Sequence, residues 1–408
     1  MKNQNRTYLY ILALFIVSIN LRIGITSISP LLETIRLELD MSNFIVSFLT
    51  SIPVLCMGIF ALLTGKVSMR WGTETAIAGC LILIGIATGM RAFADSTFSL
   101  LISALFIGIG IALAGPLLSG FIKDRFPTKM GLMIGVYSVG MGTGASLSAG
   151  LTIPLQHVLK GSWNMALAFW SVFTIVALIF WYPVMKQSNT TKTQDGPKAI
   201  LPLKNSKAWL FTIFFGLQAG IFYCVTTWLV PAVQSMGISN QQAGTLMTVF
   251  TVVQMVCSFV IPTLADYYKH RTLWLLGSLC FVLIGLSLMI YPLASPWISS
   301  VLIGIGLGGL FPLSLMLPLN ETKTSEDASA WTAMMQSGGY IMGGLIPVLA
   351  GIIRDISQSY EQVFIMMLLL SLLLVILISV MSQKKVEVRL TYELQQRKLL
   401  LLEDKKVH

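Results

Sequence analysis

Long stretches without a single Lys, Arg, Asp or Glu constrain this chain more than any other feature. They cover 41–65, 96–122, 130–159, 161–185, 328–353 and 362–383. About 20 apolar helical residues cross the ~30 Å hydrocarbon layer of a bilayer, so each of these stretches predicts one membrane span. The uncharged run 208–265 is too long for one crossing and breaks at the polar segment 234–242. The run 272–320 breaks likewise at 291–296, around Pro292 and Pro296. Two further spans each carry one charge, about 7–32 with Arg22 inside it and about 75–94 with Arg91 near its end. The reading is an all-α membrane protein of twelve transmembrane helices. Composition agrees: only 11% of the residues are charged, against about 25% in soluble domains.

The connections are too short for an extramembrane catalytic domain, the longest being 186–207 and the tail 383–408. Whatever the protein does must therefore happen within the bundle. Lys and Arg concentrate on the cytoplasmic side of membrane proteins. When the connections are assigned alternately to two sides, 22 of the 27 basic residues fall on one side. Arg36, Arg91, Lys160 and Arg354 fall on the other, and Arg22 stays within the membrane. Both termini are accordingly expected in the cytoplasm. The net charge of +10 needs no nucleic-acid partner, and the basic tail is expected against anionic lipid headgroups. The five cysteines fall inside predicted spans with no metal-ligand spacing, and no cofactor or metal is expected.

The two halves of the chain repeat. The fourth span reads Ile107-Gly108-Ile109-Gly110 and then Pro116. The tenth reads Ile303-Gly304-Ile305-Gly306 and then Pro312, each position displaced by 196 residues. Internal repeats of this kind build many secondary transporters. They predict an N-terminal half 1–185, a basic cytoplasmic linker 186–207, a C-terminal half 208–382 and the tail 383–408. With this repeat the chain resembles the major facilitator superfamily. The loop after the second helix in that superfamily follows Gly-x-x-x-Asp-Arg-x-Gly. Gly65, Arg70 and Gly72 fit it, Met69 replaces the acid, and the second-half copy keeps Asp266. Gly65, Arg70, Gly72 and Asp266 are candidates for a gating loop. A narrower resemblance, to the cyanate permease and 2-nitroimidazole exporter family, is carried by Asn20-Leu21-Arg22 and the segment 26–32 (TSISPLL). The segments 49–56 (LTSIPVLC) and 131–137 (GLMIGVY) support it.

A charge inside a span costs at least ~2.5 kcal/mol and marks a functional site by default. Arg22 lies ~14 residues, or ~21 Å, into the first helix, where it either faces a central cavity or snorkels to the interface. A guanidinium fork facing a cavity suits carboxylate, cyanate-like or nitro oxygens. Asn20 and Thr26 would add neutral hydrogen bonds, although Asn20 is equally a helix-packing residue. The resemblance implies that helices 1, 4, 7 and 10 line the cavity, flanked by 2, 5, 8 and 11. That adds Gln218 (offset by 196 from Arg22), Tyr223, Tyr137, Gln254, Gln336 and Tyr340 as candidates, each of which would otherwise be an ordinary interhelical hydrogen bond. No Asp or Glu lies deep in a span, which disfavours a cation carrier.

The expected function is secondary active transport of a small anionic or polar solute by alternating access. Coupling would be to a proton or a counter-substrate, in a monomer of the cell membrane. The alternatives are an exporter of small neutral nitroaromatics and, further off, a non-transporting membrane sensor. ATP drive within the chain is excluded by the absence of G-x-x-x-x-G-K-[ST]. An enzyme would need a midplane cluster of His, Asp or Glu, which the sequence lacks.

Overall fold

The structure, a computed structural model, describes residues 2–127, 129–186, 201–268, 271–291, 295–322 and 325–381. Most of the predicted linker 186–207, residues 187–200, and the predicted tail 383–408 lie outside the described residues. Among those described there are helices and turns but no strands, and twelve helical segments are long and apolar enough to span a membrane. They are α1 (Thr7–Glu38), α2 (Asn43–Trp71), α3 (Thr73–Phe93), α4 (Thr97–Arg125), α5 (Leu132–Val158) and α6 (Trp163–Lys186). The second six are α7 (Ser206–Ser235), α8 (Asn240–Tyr268), α9 (Arg271–Ile290), α10 (Pro296–Pro318), α11 (Asp327–Ser357) and α12 (Tyr360–Met381).

In lipid there is little hydrophobic drive between helices, so association depends on close packing of small residues. Glycines provide it. A side chain at Gly108 of α4 would strike Pro53 Cα of α2 at 2.6 Å, and one at Gly304 of α10 would strike the Phe250 carbonyl of α8 at 3.0 Å. Gly110 meets Ile84 and the Cys80 carbonyl of α3, and Gly306 meets Val282 and the Ser278 carbonyl of α9. The Ile-Gly-Ile-Gly repeat thus makes the same pair of contacts twice, one glycine on each neighbouring helix.

Two helices that carry candidate residues are seated the same way. Gly140 and Gly144 of α5 press on the backbone carbonyls of Phe15 and Ile19 in α1, while Gly216 and Gly220 of α7 meet Gly339 and Gly343 of α11. The first six helices meet the second six mainly along two antiparallel seams. On one, α2 runs beside α11 from Asn43 against Gly351 to Gly58 against Ser337. On the other, α5 runs beside α8 from Gly150 against Thr248 to Gly135 against Phe259. Beyond Gly58, toward the end of the bundle bearing Lys66, Arg70, Lys123 and Arg125, the side chains of Leu62, Leu63, Met69 and Trp71 are exposed. These basic residues make it the basic end of the bundle.

Candidate functional site

Arg22 stands two residues before Gly24 on α1, half-buried among helices from both halves of the sequence. Its guanidinium lies 5.2 Å from the centre of the Phe222 ring and 5.8 Å from that of Tyr223, within cation–π range. Nη1 donates a long 3.5 Å hydrogen bond to the Tyr223 hydroxyl, which in turn points at the Met57 sulfur 3.8 Å away. Tyr137 of α5 and Tyr340 of α11 are close enough to interact electrostatically with the same guanidinium. Tyr340 is held edge-on against Phe215, with ring centres 5.1 Å apart. One cation and three phenols therefore converge from α1, α5, α7 and α11, and α2 adds Met57.

Among the described residues the charge of Arg22 has no counter-ion. The ion pairs among them are Arg36–Glu33, Arg125–Glu74, Lys207–Glu321 and Arg271–Asp266, and none involves it. An arginine stays protonated at any accessible pH. Rings that attract cations but carry no net charge leave it able to bind one negative charge.

The other predicted residues are distributed differently. Asn20 is turned toward α6, where its Nδ2 donates to the Phe173 carbonyl at 3.3 Å and its Oδ1 accepts from Thr174 at 2.9 Å. Successive helical residues rotate by about 100°, so positions i and i+2 do not share a face, and Asn20 and Arg22 cannot both point inward. Thr26 is buried against α5, with its hydroxyl 2.6 Å from that of Ser148 and donating to the Arg22 carbonyl at 2.8 Å. Gln218 is buried on α7, and its Oε1 has no hydrogen-bond partner among the described residues. Gln254 and Gln336 are half-buried, and the backbone of Gln254 lies against Gly308.

In the loop motif, Gly72 adopts φ +77°, a left-handed turn between α2 and α3 that favours glycine. Gly65 and Arg70 are exposed on α2. Asp266, at the corresponding end of α8, pairs with Arg271 of α9 at 2.9 Å.

Two charged residues take places that sequence reasoning did not anticipate. Arg91, expected in a connection opposite the basic end, is fully buried. The short 3-10 turn Met90–Phe93 folds it back between α1 and α4. Asp355 of α11 accepts hydrogen bonds from the backbone N–H of Asn43 (2.9 Å), the Asn43 side chain (2.8 Å) and the backbone N–H of Phe44 (2.8 Å). A carboxylate from one half thus caps the N-terminus of α2 in the other, where the helix dipole favours negative charge. Further seam contacts lie between this cap and Arg22. Ser29 donates to the Thr226 carbonyl, and the hydroxyls of Thr50 and Thr227 are 2.7 Å apart.

Comparison with known proteins places this architecture. The sequence profile of the Major Facilitator Superfamily matches residues 14–344. The cyanate transport protein CynX of Escherichia coli (strain K12) is 30% identical over 352 residues, 86% of this chain and 91% of that protein. A 2-nitroimidazole transporter of the same organism is 29% identical, covering 88% of this chain and 92% of the other. Among solved structures, a point mutant of the nucleoside transporter NupG superposes with a TM-score of 0.76 at 15% identity, covering 91% of this chain and 99% of that one. With twelve apolar helices, a matching profile over most of its length and these relatives, the chain belongs to the Major Facilitator Superfamily, as a multi-pass cell-membrane transporter of small solutes.

Proposed function

We propose that the protein is a secondary active carrier of a small, singly charged, cyanate-like anion, bound at Arg22 and moved by alternating access. The single observation that carries this reading is the uncompensated guanidinium resting on Phe222 and Tyr223, with tyrosine hydroxyls around it. One positive charge and several neutral donors match one negative charge on a small ligand. A dianion would leave half its charge unpaired, and a cation would be repelled. The substrate named for the cyanate-transporting relative has this character.

On this reading residues 1–185 and 208–382 are the two rocking halves. The basic end and both termini face the cytoplasm, and a monomer suffices. The α2–α11 seam is joined by the Asp355 cap at one end, while Leu62, Leu63, Met69 and Trp71 toward the basic end are exposed. Arg22 would then be reached from the cytoplasm. A proton or a counter-substrate would supply the driving gradient. A second reading, export of a small nitroaromatic, is favoured by the Phe222, Tyr223 and Tyr340 rings, which offer flat apolar faces to a heteroaromatic solute.

Uptake by proteoliposomes from a panel of cyanate, nitrite, nitrate, short carboxylates and 2-nitroimidazole separates the readings. Saturable uptake of a monovalent anion, with counterflow when the vesicles are preloaded, is the expected result. Movement of 2-nitroimidazole alone would favour the second reading. If nothing in the panel moves down its own gradient or in exchange, the cyanate-like and nitroaromatic readings both fail.

The Asp355 cap gives a further prediction. Asp355→Ala removes three hydrogen bonds at the closed seam, each worth about 1 kcal/mol, and shifts the population toward opening there. A cysteine replacing Thr50, buried in that seam, should react with an impermeant maleimide about tenfold faster or more in the Asp355→Ala background. An unchanged rate would mean that the cap does not hold the seam.

A further inference from the structure

Arg91 is a buried cation that the transport reading does not use. It is 0% exposed, and among the described residues no carboxylate pairs with it. Its Nε donates to Ser103 Oγ of α4 at 3.0 Å, its Nη1 donates to the Gly24 carbonyl of α1 at 3.1 Å, and its Nη2 is buried with no partner among the described residues. A lone buried charge is expensive, so its position requires a reason in the local structure.

The reason lies in the backbone of α1. Regular helix ends at Thr26 and a 3-10 turn, Ser29–Leu31, follows. In a continuing helix the Ile28 N–H would bond to the Gly24 carbonyl, four residues back. Here it bonds to the Ile25 carbonyl at 3.4 Å, while the Ser27 N–H takes the Ile23 carbonyl at 3.1 Å. The Gly24 carbonyl, on a buried residue, therefore loses its helical partner at the point where α1 changes pitch. Arg91 supplies the donor. Gly24 also sits flush on α4, since a Cβ there would strike the Ile107 side chain at 2.8 Å. On one side of this braced turn stands Arg22, two residues away, and on the other Ser29, which reaches across to α7.

We infer that Arg91 is a positioning residue for transport. By satisfying the Gly24 carbonyl and tying it to Ser103, it holds the turn at which α1 changes pitch and so fixes where Arg22 presents its guanidinium. It touches no substrate. The inference rests on the proposed role of Arg22 for its functional consequence, but the brace itself has an independent readout.

The test combines amide hydrogen exchange with transport kinetics. In Arg91→Met, exchange within 24–31 should rise by about tenfold or more, and KM for labelled cyanate should rise by about tenfold, as expected when a binding group is displaced by a fraction of an ångström. kcat should change less. Arg91→Lys keeps the charge but replaces the rigid fork with a single ammonium on a flexible stem, and should fall between native and Arg91→Met. Together with Ser103→Ala it supplies the measurement if the Met variant does not fold. In an Arg22→Gln background, Arg91→Met should leave the residual KM unchanged, because the group it positions is gone. Unchanged exchange in 24–31 would overturn the inference. So would an equal rise in KM with and without Arg22, which would mean that Arg91 acts on the substrate directly. Faster exchange at 24–31 in a protein whose affinity is indifferent to Arg22→Gln would support the brace and overturn the anion reading instead.

Discussion

Arg22→Gln is expected to weaken anion binding by about 100-fold or more, because removing one partner of a desolvated charge pair costs about 3 kcal/mol. Glutamine keeps a donor and nearly the length of the side chain but loses the charge and the fork. Arg22→Lys keeps the charge alone and should recover part of the loss, as a point charge does when bidentate geometry is withdrawn. The same substitution carries an opposite expectation for stability. Among the described residues Arg22 makes no ion pair, so removing an uncompensated cation from half-buried surroundings should leave Tm unchanged or raise it. A fold defect would lower Tm along with affinity. Native affinity in a folded Arg22→Gln protein would return Arg22 to the snorkelling role.

The second large effect lies in the helix packing below the site. A Cβ at Gly144 would sit 2.2 Å from the Ile19 carbonyl oxygen and 2.9 Å from its carbon. These are backbone atoms of α1 and cannot rotate away, so α1 and α5 would have to separate one turn from Arg22. Gly144→Val should cost about 3 kcal/mol, the upper range for overpacking, with folded protein lost in size-exclusion profiles and Tm well below native. Gly79 of α3 and Gly277 of α9 meet nothing within 4 Å. Gly79→Ala should therefore be neutral, or stabilising by up to about 1 kcal/mol through helix propensity. A Gly144→Val protein as stable as Gly79→Ala would mean that the backbones of α1 and α5 do not touch there.

What the sequence revealed followed from physics that acts along one dimension. Uncharged runs mark spans because the bilayer has a fixed thickness, so twelve helices were legible from the charge positions together with the polar break at 234–242 and the proline-bearing break at 291–296. The Ile-Gly-Ile-Gly repeat was legible because both copies solve the same packing problem against two neighbours. Arg22 stood out because a charge at membrane depth is costly in any topology. Lateral depth is another matter. Arg91 falls at the end of its span when counted along the chain, yet the 3-10 turn Met90–Phe93 carries it inward beneath α1, and no periodicity announces that reversal. The Asp355 cap joins residues 312 positions apart, a pairing that neither end encodes locally. Asn20 was grouped with Arg22 by proximity in sequence, whereas helical rotation sends it to α6. Phe222 shows the converse, since an aromatic residue in an apolar span carries no signal of the cation it faces.

The central claim is that one guanidinium binds one small anion in the middle of this bundle. Equilibrium titration of the purified protein with cyanate and nitrite, for native and Arg22→Gln, tests it most directly. The expected result is a single anion per native chain, competition between the two anions, and no measurable binding over the same range in a folded Arg22→Gln protein. Anion binding of equal affinity and stoichiometry in both proteins would contradict it.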